Sequence, residues 1–223
     1  MLKSCSVEEE LYTHEYLWRS ASRLLRIAET EEEASYHLLL PSLLMSFMAF
    51  EAFVNFCGFV LLPELWQEEK KHFKGKGMEG KLEVIVGQLP SFSWRKGEPP
   101  YQRIKTLETF RDVVAYGKVV ATQYVTEQKE DGSHFQFKHA WDSYLSVDAV
   151  KNARADIKAF CQSLVVELRK VSDHLHLNFN AFEGSLASGS SMGRIGKKGA
   201  VDAACCRDSR DVWGMSRSWA SPA

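Results

Sequence analysis

Apolar residues recur at helical spacing along most of the chain, and strand-like alternation is weak everywhere except one stretch. The first amphipathic run predicts a helix from Ser6 to about Ala28. Leu11, Trp18, Leu25 and Ala28 form its apolar stripe, with Glu15, Arg19, Arg23 and Arg26 elsewhere. Ser6 and Glu9 supply a capping box for its start. A second box, Thr30 with Glu33, opens a longer segment that climbs through Ala34 and His37 into the apolar run Leu38 to Leu62. Pro41 lacks an amide hydrogen, so it either kinks this helix or moves its start to the following residue.

Two environments suit Leu38 to Leu62, whose strongly polar groups are only Glu51 and Asn55. A run of about 25 residues is long enough to cross a bilayer. A carboxylate inside a lone span is costly, and the flanks, acidic at Glu31 to Glu33 and mixed at Glu64 to Lys71, lack a decisive basic bias. A buried central helix is therefore the expectation, with a single-pass membrane protein as the alternative.

After Pro63 a short charged helix is expected, then a flexible break at Lys74-Gly75-Lys76-Gly77. A helix follows from Glu79 to about Leu89, with Leu82, Ile85, Val86 and Leu89 on one face. Pro90 to Pro100 reads as loop. The next helix runs from about Pro100 to Tyr116, with Ile104, Leu107, Phe110 and Val114 as core stripe and Gly117 as stop. Val119 to Leu145 mixes β-branched, aromatic and turn residues around Asp131-Gly132 and holds a small hairpin or an ordered loop. The last helix is capped near Ser146 and runs to about Leu175, with Val150, Ile157, Phe160, Leu164, Leu168, Val171 and Leu175 in register. The expected fold is all-α, an up-down bundle of four or five helices over residues 1–182 around the long apolar helix. From Glu183 to Ala223 the composition turns to Gly, Ser and Ala without a period, which predicts a disordered tail.

Composition and charge narrow the function only slightly. With 223 residues the chain can bury a sizeable core, and a net charge of −1 supplies no global field toward nucleic acid or anionic membrane. Cys5, Cys57, Cys161, Cys205 and Cys206 are odd in number and show no metal-ligand spacing. Together with an acidic start where an export signal would be apolar, they predict a reducing, cytoplasmic setting. The histidines assemble no recognisable zinc spacing, and Lys74-Gly75-Lys76-Gly77 lacks the spacing and hydroxyl of a P-loop, so no metal or cofactor is expected.

The candidate chemistry lies at the helix end Thr109-Phe110-Arg111-Asp112-Val113-Val114-Ala115-Tyr116-Gly117-Lys118. Glu51 and Asn55, at i and i+4, share one face of the apolar helix and need buried partners; Arg111 is the natural partner for Glu51. Lys70, Lys71, His72, Lys74, Lys76 and Lys81 form a basic cluster that, with Lys118, could touch a phosphate backbone or simply be solvated surface. The structural alternative for Arg111 is pairing with Glu108 or Asp112 on a solvated face.

An early apolar helix carrying Ala49-Phe50-Glu51-Ala52-Phe53-Val54-Asn55, a Lys-rich middle, a Pro-led helix and an Arg-Asp-x-x-x-Tyr-Gly ending together resemble the HEPN family (higher eukaryotes and prokaryotes nucleotide-binding) over about Glu31 to Leu175. The resemblance implies a helical bundle, usually dimeric, and in many members a metal-independent RNase. The family signature is an Arg, often with a polar residue after it, and a His beyond four to six intervening residues near the end of a late helix. Arg111 matches the arginine, Asp112 the polar position, and Tyr116 stands where the histidine would be. A phenol with an unperturbed pKa of about 10 is a poor base at neutral pH, so cleavage is expected to be weak or absent. On a straight helix Arg111 and Tyr116 lie roughly 140° apart, which the family resolves at the interface of two protomers. The implied setting is bacterial stress or defence, with RNA or nucleotide as ligand, a homodimer, and an antitoxin-like protein as a further partner. A non-catalytic dimerisation or protein-interaction bundle is the alternative.

Overall fold

The computed structural model describes residues 10–31, 35–117, 141–172, 180–183 and 187–188. Among these the chain is an all-α bundle. Its helices are α1 (Thr13–Ala28), α2 (Ser35–Leu61), α3 (Pro63–Gln67), α4 (Glu69–His72), α5 (Gly77–Val86), α6 (Tyr101–Ala115) and α7 (Val147–Val171). A two-residue antiparallel pairing of β1 (Glu10–Leu11) with β2 (Ala187–Ser188) is the only extended contact among the described residues.

Helix α2 is central because its sequence is apolar on nearly every side. It packs against α1, α3, α5, α6 and α7, and Phe47, Phe50, Phe53 and Leu43 are fully buried. Its length and composition also satisfy those of a membrane span, and half of its most apolar window is buried inside the bundle. Four polar side chains tie it to four different neighbours. The Ser42 hydroxyl donates to the Ala21 carbonyl on α1 at 2.8 Å, and Ser46 accepts from Arg154 on α7. Glu51 takes Arg111 on α6 at 2.7 Å, and Asn55 accepts from Lys81 on α5 at 2.8 Å.

Several boundaries differ from expectation for local reasons. α1 begins at Thr13 rather than Ser6, because Glu10 and Leu11 are extended in β1 and Tyr12 is non-helical (φ −83°, ψ 84°); Ser6 and Glu9 lie outside the described residues. Thr30 does not cap α2: its hydroxyl donates back to the Ile27 carbonyl at 2.9 Å, closing α1, and α2 starts at Ser35. α2 also runs through Pro41 instead of starting after it. Pro41 stands in the second turn, where its missing amide removes the one bond to the His37 carbonyl while the helix continues on either side. α5 spans Gly77–Val86, two residues earlier than expected at its start, and single turns carry the chain on to buried Leu89.

The later helices follow the sequence closely. Gly117, at φ 58°, ends α6, and the Ser146 hydroxyl caps α7 by accepting from the Ala149 amide at 3.1 Å. α7 stops at Val171, short of Leu175. The expected hairpin between Val119 and Leu145 falls outside the described residues except for a final turn, where the Tyr144 ring stacks on Phe110 at 4.9 Å. Past α7 the chain returns to the core, and Phe182 stacks on Trp18 at 4.1 Å. Glu183, assigned by composition to the tail, pairs with Lys158, and Ala187–Ser188 form β2.

Gly58 shapes the turn out of α2. A Cβ there would lie 2.1 Å from the Trp66 ring, so only glycine lets the indole of α3 lie against the helix. Trp66 in turn packs on Phe73, 4.6 Å between ring centres, at the end of α4. Cys57 and Cys161 are both free and fully buried, and burial pushes both thiols well up, which leaves them protonated and unreactive.

Candidate functional site

A cleft of about 870 Å³ opens between the C-terminal half of α2, the α4–α5 region and the end of α6. Glu51, Arg111, Asp112 and Tyr116, singled out on sequence, all line it. Lys70 and Lys74 line it as well. Lys71 and Lys76 do not: Lys71 pairs with Glu68 at 2.7 Å on the exposed side of α4, and the Lys76 stem faces Gly80. Lys118 lies outside the described residues.

The heart of the site is the expected pair of Arg111 and Glu51. Leu107 and Phe110 are buried, which turns their helix neighbour Arg111 along the edge of the α6 core stripe toward α2. There its Nη2 donates to Glu51 Oε1 at 2.7 Å, while the guanidinium lies 5.3 Å from the centre of the Phe47 ring. Burial pushes the Glu51 carboxyl up against the pull of Arg111; Glu108 and Asp112 nearby add to the rise and Lys81 opposes it. Arg111 Nε lies 3.3 Å from Asp112 Oδ1 but carries no hydrogen bond, so the geometry there is an ion contact rather than a directed bond. Of the three carboxylates considered on sequence, Glu51 bonds the arginine across the bundle, Asp112 lies against it through one oxygen, and Glu108 goes to Lys105 instead.

Lys81 belongs to a second tie. Its Nζ bonds Asn55 and the Glu69 carboxylate, which joins α5 to α2 and α4 and commits a lysine that sequence alone placed in the basic cluster. Glu108, also at the cleft, is held by Lys105 at 2.6 Å. Glu69 and Glu108 were not singled out as site residues. The legible signal for Glu108 was its place one turn before Arg111 on α6. Val54, Phe73 and Met78 give the cleft an apolar, buried floor.

Tyr116 sits just past the last turn of α6, its amide donating to the Asp112 carbonyl at 3.1 Å, and its side chain is 69% exposed. Arg111 and Tyr116 thus border one opening within a single chain, the arginine inside and the phenol at the rim. Among the described residues no histidine lines the cleft: His72 faces Glu68 at 3.3 Å, and His14 is buried on α1 among Phe53, Phe56 and Phe182. No cluster of metal-ligating side chains occurs among the described residues.

Fold and site together define an all-α bundle with a mixed-charge cleft beside its central helix. The chain matches no family model, no curated protein and no solved structure. The resemblance to the HEPN family is carried by the residues quoted for it and by nothing outside this chain.

Proposed function

We propose that the chain is a HEPN-like module that binds the phosphate of RNA or of a nucleotide in the cleft between α2, α4 and α6, with cleavage weak or absent. The observation that supports this is the meeting of Arg111, Glu51, Asp112 and Tyr116 with Lys70 and Lys74 around one opening. Lys70 and Lys74 are exposed cations on one wall and attract a phosphate. Arg111 is oriented by Glu51 and offers its remaining donors from inside. Tyr116 can donate a hydrogen bond at the rim. Cleavage of RNA through its 2′-hydroxyl calls for a general base, most often an imidazole, and no histidine lines the cleft among the described residues. A bundle of this class acts as a dimer in our reading, and sedimentation of the purified chain measures it.

The test is anisotropy of labelled single-stranded RNA, with cleavage followed in the absence of metal. Native protein should bind more weakly as salt rises and cleave little. Arg111→Ala and the double variant Lys70→Ala, Lys74→Ala should each lose at least about fivefold in affinity, the cost of one charge-assisted contact. Cleavage that persists unchanged in Arg111→Ala would sink the assigned site, whereas cleavage gained in Tyr116→His supports it. We favour a packed α2 over a membrane span because Ser42, Ser46, Glu51 and Asn55 are each answered by another helix. Recovery of the native protein in carbonate-washed membranes would reverse that preference.

A further inference from the structure

The charged groups around the cleft divide by commitment. Glu51 is held by Arg111, Glu69 by Lys81 and Glu108 by Lys105, so three carboxylates are each answered by a cation. What remains is Lys70 and Lys74, which make no ion pair among the described residues, and the outer part of Asp112, a 43% exposed carboxylate that touches Arg111 through Oδ1 alone and without a hydrogen bond. These groups stand on different elements. Lys70 and Lys74, four residues apart, belong to α4 and the turn after it, while Asp112 and Tyr116, also four apart, belong to the end of α6. The Tyr116 amide bonds the Asp112 carbonyl, which keeps the phenol ring and the carboxylate one turn apart at that helix end.

We propose that the cleft selects a nucleoside monophosphate whose base carries an exocyclic amino group, with the phosphate on Lys70 and Lys74, the amine on Asp112 and the base against the Tyr116 ring. This rests on the phosphate-binding reading above and narrows it from any RNA or nucleotide to one class of small molecule. Two cations suit a phosphate monoester carrying a charge of roughly −1.5 to −2. A carboxylate accepts from an amino group but repels a carbonyl oxygen at the same place, so Asp112 distinguishes bases by that edge. The exposed Tyr116 ring offers the flat face on which a base stacks. Size and charge favour the monomer over a strand: the volume of about 870 Å³ falls within the roughly 300–1,000 Å³ of small-molecule pockets. A continuous phosphate chain would also have to pass carboxylates on both walls.

Isothermal titration of the full chain with adenosine monophosphate, uridine monophosphate, adenosine, inorganic phosphate and a short oligouridine strand tests the proposal. Adenosine monophosphate should bind at least about tenfold tighter than uridine monophosphate, adenosine or phosphate, one good hydrogen-bonded contact being worth about that factor. Asp112→Asn should erase the preference between the two monophosphates. Lys70→Ala and Lys74→Ala should weaken both alike, and Tyr116→Ala should weaken both monophosphates and adenosine. Circular dichroism of each variant confirms the bundle. Equal affinity for the two monophosphates overturns the amino-group selection while leaving phosphate binding in place. Oligouridine bound more tightly than adenosine monophosphate, with no effect of Asp112→Asn, overturns the small-molecule reading and leaves the broader one standing. Absence of binding by all five overturns both.

Discussion

Two arginines in this bundle solve opposite problems. Arg154, on α7, is only 8% exposed and has no carboxylate partner among the described residues. It donates to the hydroxyls of Ser46 and, at 2.6 Å, Ser22, and lies 3.9 Å from the centre of the Trp18 ring. Burial lowers its guanidinium to about 10, which leaves it charged at neutral pH. Arg111 is more open and lies at the edge of a cleft between two carboxylates, Glu51 on α2 and its own chain neighbour Asp112. The same contrast runs along α2, where Ser42 and Ser46 serve the dry side and Glu51 and Asn55 the wet one. Neutral hydroxyls and an aromatic face suffice where water is excluded and nothing needs to exchange; charge pairs are found where a ligand could enter.

The contrast is broken most directly at Arg154. Arg154→Ala should cost about 3–4 kcal/mol in urea unfolding, the usual scale for emptying a packed site and stranding its hydrogen-bond partners, while leaving ligand affinity per folded molecule unchanged. A loss below about 1 kcal/mol would mean that the dry side does not depend on its buried cation.

The next effect comes from pH, again on the dry side. Burial lowers His14 from 6.5 to about 4, so between those values the unfolded chain takes up a proton that the folded one refuses. Its contribution to stability is fully present above pH 6.5 and is lost as pH falls toward 4, by about 3 kcal/mol in all. Burial raises Glu15 and Glu51, and these act in the opposite sense, relieving a cost as pH falls through their folded values. The difference in stability between pH 7 and pH 5 should therefore shrink in His14→Phe; an unchanged difference removes His14 from the account.

The smallest stability effect belongs to the cleft. Glu51 and Arg111 are part-buried, so a double-mutant cycle with Glu51→Gln and Arg111→Met should return a coupling of about 1 kcal/mol. Raising salt should reduce it. A coupling above about 3 kcal/mol, insensitive to salt, would place this pair with the buried interactions of the dry side.

Much of the bundle was legible because helix ends and apolar stripes are local. Ser146 caps α7 and Gly117 stops α6 where chain chemistry requires. The Glu51–Arg111 pair was also legible, since a carboxylate on a helix that apolar must find a cation. The commitment of each charge was not. Lys81 resembles its neighbours in the basic run until α2 and α4 arrive to claim it, and the start of α1 only at Thr13 goes with the pairing of Glu10 and Leu11 to a segment near residue 187. Arg154 did leave a trace: it falls among Val150, Ile157 and Phe160 on the core stripe of α7, a basic residue where the period calls for an apolar one.

The notch at Gly58 sets an order in which this molecule can be damaged. The lysine wall of the cleft leans on α2 through a ring seated where a side chain is missing as well as through the Lys81 tie, whereas α1, α2, α6 and α7 pack on one another directly. A methyl group at that single position would unseat α3 and α4 first. Such a lineage would keep its architecture and lose the lysine wall of the cleft, so drift at one small residue could reshape the cleft long before it endangered the fold.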